Sequence, residues 1–324
     1  MFQSDALVVS TPQYAEIMAQ EVLPWLEARE TDTTLRAGDG KPLFCSMFRP
    51  EAPRGTVVIV HGFTENAYKY SEIIYSLLRN NWCVLAYDQR GHGRSWRDPA
   101  ILLNAVTHVD RFQDYVDDLD TVCDQLLVPL PKPWAVFGHS MGGAVTALYL
   151  EQHPERFSRA VLCAPMIAPN LRGIPAFAAS SICNVGGLMG QGKKHPFFMR
   201  PPTGPEDFET SCATDPNRFA WYDGVRQKRP EFQNAIPSYR WTKESIRVTS
   251  RILAPGAPES IRCPVLLFTA GRDHSVMPEP QKAFISRVPK GRHEFVAEAK
   301  HEIYRCVDEV FFPWWHTILT FLEE

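Results

Sequence analysis

The stretch WAVFGHSMGGAVTALYLEQ, Trp134 to Gln152, passes from a short apolar run through Gly138-His139-Ser140-Met141-Gly142 into a segment with helical character. A strand that turns sharply into a helix at G-x-S-x-G is the context of a nucleophile elbow. The turn must hold Ser140 in a strained conformation and lift its Oγ above the sheet edge. Small residues at Gly138 and Gly142 let neighbouring backbone approach closely. The motif alone is modest evidence. The strand before it and the helix after it make it strong.

Outward from this stretch the same alternation recurs. Thr56–His61 (TVVIVH), Trp82–Tyr87 (WCVLAY), Arg159–Ala164 (RAVLCA) and Val265–Ala270 (VLLFTA) are short, rich in aliphatic residues and bounded by polar or turn residues. Continuous apolar runs of this kind suit a parallel sheet covered on both faces. Between them, Ala67–Arg79 places Tyr70, Ile73, Ile74, Leu77 and Leu78 on one helical face. Phe112–Leu127, Ala144–Gln152 and Glu302–Leu322 behave similarly. The expected fold class is α/β, a mostly parallel, doubly wound sheet. Leu35–Phe48, with Gly38-Asp39-Gly40 at its centre, predicts a leading β-hairpin. Tyr14–Glu27 predicts a helix whose polar face is acidic, which favours packing on the body over lying on a membrane.

After Met166 the alternation stops, and no strand pattern returns until Cys263. That interval is too long for an ordinary loop. The expected organisation is a core of residues 1–166 and 251–324, with residues 1–30 as an N-terminal helical extension. Residues 167–250 form an inserted helical cap over the sheet's C-terminal edge, where ligands of open α/β sheets bind.

A serine hydroxyl needs a base, and the base an orienting acid. Asp273 follows the VLLFTA run directly, and His301 follows the extended stretch His293–Val296, so both are expected at C-terminal strand ends and in the order Ser, acid, His. His139 is read as core, His92 as loop structure, and Asp88 as a weaker rival acid because it precedes the serine. Two backbone N–H donors must face the developing oxyanion. Met141 and Phe63, in the His61-Gly62-Phe63 turn, are the candidates. His61, Glu65, Met166, Trp241 and His274 are candidates for the substrate pocket.

Composition bounds the rest. The chain has 324 residues, 44% hydrophobic and 22% charged, with a net charge of −3. This is an ordinary globular balance and lacks the basic excess of a nucleic-acid binder. No apolar run reaches the length of a membrane span, and Met1–Ser10 has no secretory-signal pattern. The eight cysteines show no CxxC spacing, so neither a zinc site nor a redox centre is expected, and a cytoplasmic setting is.

His61-Gly62-Phe63-Thr64-Glu65-Asn66, Asp88-Gln89-Arg90-Gly91-His92-Gly93-Arg94-Ser95, Gly138–Gly143, Arg272-Asp273 and Lys300-His301-Glu302 resemble the monoacylglycerol lipase and bacterial lysophospholipase branch of the α/β-hydrolases. Asp110–Leu119 and Ser238–Ser245 resemble the bacterial lysophospholipases in particular. The resemblance covers roughly residues 30 to 322 and is weakest in the cap. It implies an α/β-hydrolase fold and hydrolysis of single-chain acyl esters. The expected partner is a small-molecule lipid ester, with no metal, no organic cofactor and no nucleic acid, and with peripheral contact at the inner face of a membrane. Aromatic and Met residues of the cap suit an acyl channel or the cap's own core equally. Lys193, Lys194, Arg226, Lys228 and Arg229 suit an anionic head group or solvated surface. Two other readings stay open: an aminopeptidase or C–C bond hydrolase, for which Glu206, Asp207 and Glu209 could read a free N-terminus, and a non-catalytic binding module.

Overall fold

The computed structural model describes residues 7–201 and 204–324; the expectation for Met1–Ser10 therefore lies largely outside the described residues. Among the described residues ten strands run in chain order: β1 (Glu30–Arg36), β2 (Pro42–Phe48), β3 (Gly55–Val60), β4 (Trp82–Tyr87), β5 (Val106–Thr107), β6 (Trp134–His139), β7 (Arg159–Cys163), β8 (Ile236–Pro237), β9 (Val265–Ala270) and β10 (Gly291–Val296). Eight of them form one sheet in the order β1-β2-β4-β3-β6-β7-β9-β10. The β1–β2 and β2–β4 pairs are antiparallel and every later pair is parallel.

The helices are α1 (Tyr14–Ile17) and α2 (Leu23–Glu27), joined by a π-helical turn, then α3 (Ser71–Arg79), α4 (Gln113–Val122), α5 (Met141–Gln152), α6 (Ala176–Leu188), α7 (Pro216–Lys228), α8 (Tyr239–Ile252), α9 (Pro278–Ile285) and α10 (Asp308–Glu323). Successive strand residues face opposite sides of the sheet. Val58, Val60, Leu85 and Leu267 join the core under α4, α5 and α8. Val57, Ile59, Val84 and Leu266 join the core under α3, α10 and the N-terminal helices. This two-sided burial explains the unbroken apolar runs.

Four expectations are adjusted. The helix predicted from Ala67 opens as a 3₁₀ turn, Ala67–Tyr70, capped by the Asn66 side chain. The one predicted from Glu302 becomes regular only at Asp308, and the one ending at Leu127 closes in a π-helical turn. The interval after Met166 is not free of strand: β8 pairs in parallel with β5. Two-residue strands carry no periodicity, so neither could be read from sequence. Among the described residues no helix is long and apolar enough to cross a membrane. All eight cysteines are free, and seven are buried.

Candidate active site

β6 delivers the chain to Ser140, and α5 leaves from it. Ser140 sits at φ 51°, ψ −118°, a region costing a non-glycine residue roughly 1–3 kcal/mol. Its neighbours over-determine it. The Ser140 N–H donates to the Cys163 carbonyl at 3.1 Å, and the Ser140 carbonyl accepts from Met166 N–H at 2.8 Å and Ala144 N–H at 3.1 Å. Room for this turn comes from glycine: a Cβ on Gly142 would lie 2.1 Å from the Val60 carbonyl oxygen and 2.4 Å from that of His61. Gly142→Ala therefore forces α5 away from β3. The expected cost is about 3 kcal/mol, read as a lowered Tm and weakened Ser140 labelling.

Ser140 Oγ lies 2.8 Å from His301 Nε2, and His301 Nδ1 lies 2.6 Å from Asp273 Oδ2. Asp273 Oδ1 accepts the N–H groups of Ser275 at 2.7 Å and Val276 at 3.1 Å. Burial alone would raise the Asp273 carboxyl, but His301 and the two amides outweigh it and hold it below the ordinary range. The acid therefore stays ionised and fixes the imidazole with Nδ1–H donating, which leaves Nε2 to accept from the serine. Asp88, the rival acid, spends its two oxygens on the N–H groups of Ala67 and Arg94, each at 2.8 Å.

Met141 is the first residue of α5, so its N–H has no partner within the helix. Among the described residues, neither it nor the Phe63 N–H has an acceptor in the protein. Phe63 itself packs on Trp241 of α8, ring centroids 4.1 Å apart. Met166 is buried beside the serine through its N–H bond. His274 is exposed.

His61 and Glu65, expected in the pocket, are instead buried beneath the loop that carries Phe63. His61 donates Nδ1–H to the Gly62 carbonyl and accepts from Gln89 N–H at Nε2. Glu65 accepts the Gly62 N–H at 2.6 Å. A polar residue next to a motif is easily taken as a substrate contact, but here backbone groups left unpaired by the turn recruit both side chains inward. Lys69, Tyr70, Glu302 and Tyr304, none of them a site candidate from sequence, surround Glu65. The i,i+4 spacing of Glu65 and Lys69 was the one available signal.

Among the described residues a single group of His, Cys, Asp or Glu side chains has ligand atoms close enough for a metal: Asp98, His108 and Asp110, within 4.8 Å of one another. The Lys193 ammonium already sits 2.7 Å from Asp98, so the chain supplies its own cation there. Glu206, Asp207 and Glu209 are exposed. Arg226 and Arg229 pair with Asp223 and Glu231.

The chain is similar to known proteins in sequence and in fold. Residues 51–305 match the family model described as serine aminopeptidase, S33. The chain is 32% identical to lysophospholipase L2 of Escherichia coli over 300 residues, covering 86% of this chain and 83% of that one. It is 25% identical to the probable lysophospholipase L2 of Haemophilus influenzae over 309 residues, 94% and 95% of the two chains. A carboxyl esterase from Bacillus coagulans shares the fold with a TM-score of 0.72, at 19% identity over 91% of this chain and 98% of its own.

Proposed function

The chain belongs to the serine aminopeptidase S33 family of hydrolases, and from that premise we propose that it cleaves the carboxylic ester of single-chain lipids, lysophospholipids or monoacylglycerols, through an acyl-enzyme on Ser140. The observation that carries this reading is the hydrogen-bonded line from Ser140 through His301 to Asp273. Ser140 Oγ attacks the ester carbonyl while His301 Nε2 takes its proton. The carbonyl oxygen gains charge and is held by the N–H groups of Phe63 and Met141. When the tetrahedral intermediate collapses, the C–O bond to the alcohol breaks and His301 returns the proton to the leaving oxygen. Water then repeats the sequence on the acyl-enzyme and releases the fatty acid.

Residues 167–250 are proposed as the cap that selects the substrate. The family description names a peptidase, but the relatives matched over most of both chains are named lysophospholipases. Glu206, Asp207 and Glu209, the acidic residues read as able to hold a free N-terminus, are exposed. Phe177, Leu188, Met189 and Phe197 are exposed on or just beyond α6, beside Lys194. This supports peripheral contact with an anionic membrane surface such as the cytoplasmic leaflet.

A fluorophosphonate probe should label Ser140 and should fail to label Ser140→Ala. In a panel of lysophospholipids and monoacylglycerols of graded chain length, kcat/KM should rise about fourfold per methylene until added methylenes are no longer buried, from about 0.8 kcal/mol per buried CH₂. Faster turnover of aminoacyl amides than of any ester would overturn the lipid assignment.

A further inference from the structure

Beneath the Ser140–His301 line lies a buried ionic knot that acyl transfer, as described, leaves without a task. Glu65 Oε2 accepts from the Gly62 N–H at 2.6 Å and the Tyr70 hydroxyl at 2.6 Å, and lies 3.1 Å from His139 Nδ1. Glu65 Oε1 accepts from Lys69 Nζ at 3.2 Å and from the Tyr304 hydroxyl. His139 Nε2 lies 3.2 Å from the main-chain carbonyl oxygen of His301. Two linked side chains, Glu65 and His139, thus touch three catalytic elements. Glu65 grips the peptide before Phe63, His139 immediately precedes Ser140, and the far nitrogen of His139 holds the backbone of the general base.

The protonation of His139 follows from its partners. A neutral imidazole has one N–H and one lone pair. Both neighbours of His139 are acceptors, a carboxylate oxygen and a carbonyl oxygen. A neutral ring would set a lone pair against one of them, and only the imidazolium satisfies both. Every other partner of Glu65 is a donor, so its negative charge is the natural counter-charge. Burial opposes charge on His139, but Glu65 overrides it and raises the imidazole above its ordinary range.

We propose that Glu65 and the His139 imidazolium are positioning residues. Together they form a strut that fixes the Phe63 oxyanion donor relative to Ser140 and His301, and turnover falls when the strut loses its second proton. This rests on the acyl-transfer reading above. The sign is fixed by linkage: the contribution of a histidine with a raised pKa is complete below about 6.5 and is lost as pH rises through the folded-state value.

The groups facing the pair come from three elements. Lys69 and Tyr70 lie in the turn after β3. His301, whose ring centroid lies 4.9 Å from that of His139, is followed by Glu302, Tyr304 and Arg305. Cys163 ends β7. Burial would raise Glu65 and Glu302, but nearby cations pull both down, Glu302 to about 2. Lys69 and Arg305 are raised by their carboxylates against the effect of burial. Tyr70, Tyr304 and Cys163 are raised by burial and by the same carboxylates. Imidazole is therefore the side-chain type left to change charge in the assay range, about pH 6 to about pH 10.

The test measures kcat/KM for a short, non-ionising p-nitrophenyl ester across that range in wild type, His139→Gln and Glu65→Gln, with fluorophosphonate labelling of Ser140 alongside. Wild type should show an alkaline fall of about tenfold or more, carried by kcat rather than KM. His139→Gln should be about 10- to 100-fold slower at neutral pH and should lack the alkaline fall. Glu65→Gln removes the counter-charge and should move the fall to lower pH by about one unit or more. Each variant tests the strut alone, so misfolding of one leaves the other decisive, and Glu65→Asp should partly restore rate and limb. An alkaline limb identical in wild type and variants, or variants within about twofold of wild type throughout, would overturn the proposal. Absence of Ser140 labelling in wild type would instead overturn the acyl-transfer reading beneath it.

Discussion

Ser140→Ala is expected to lower kcat for ester hydrolysis by about a millionfold, about 8 kcal/mol of lost transition-state stabilisation. Alanine keeps the turn and the two unpaired N–H groups but offers no oxygen to attack the carbonyl. His301→Ala should cost about as much. The double variant should lose little more, because base and nucleophile act as one unit. What survives, about 10³–10⁴ over water, reflects the oxyanion donors and substrate binding. Folding should be almost untouched, because the Ser140 hydroxyl supports nothing but the His301 bond. A loss smaller than about a hundredfold, in protein with an unchanged Tm, would place the chemistry on another side chain.

Arg218→Ala should cost about 3–5 kcal/mol of stability. Arg218 is 1% exposed. Its Nε and Nη2 fork onto Glu72, each at 2.9 Å, while Nη1 lies 2.8 Å from Asp308 and 2.9 Å from the Cys306 carbonyl oxygen. Nη2 also reaches the Val8 carbonyl at 3.0 Å. One guanidinium on α7 therefore ties together the N-terminal segment, α3 and the start of α10. Burial already holds the Glu72 carboxyl above its ordinary range, with Arg218 opposing the rise. Without Arg218 that carboxyl rises further. A group raised in the folded state favours folding at low pH, so the Tm of Arg218→Ala should climb as pH falls from about 8 to about 5. Adding Glu72→Gln should recover part of the loss and flatten that dependence. Thermal melts of the three proteins across this range measure both effects. A drop below about 1 kcal/mol would show that the buried charge relaxes towards water.

Much of this molecule is legible in its sequence because two signals are local. A strand buried on both faces must be apolar at every position, which made β3, β4, β6 and β9 readable. The Ser140 turn needs glycine where a Cβ would strike the β3 backbone, which made the elbow readable. Asp273 and His301 followed from chain order and strand ends. Other features are set by contacts distant in sequence. β5 and β8 exist only because they pair with each other across more than a hundred residues. Glu65 and His61 look like pocket residues until the fold turns them inward. Arg218 sits in a helix whose polar and apolar positions show little separation, and its partners are scattered from Val8 to Asp308.

The narrow seat of α6 has an evolutionary consequence. Only Ala179, Cys183 and Gly186 of that helix are buried, and Gly186 is where it presses on the Tyr239 ring. By contrast, α7 is bolted down through Arg218. A lineage can therefore rewrite the outward positions of α6 almost freely, trading one substrate or membrane for another, while α7 is frozen by what it holds together. Diversification in this protein should accumulate on the outward face of α6 and spare α7.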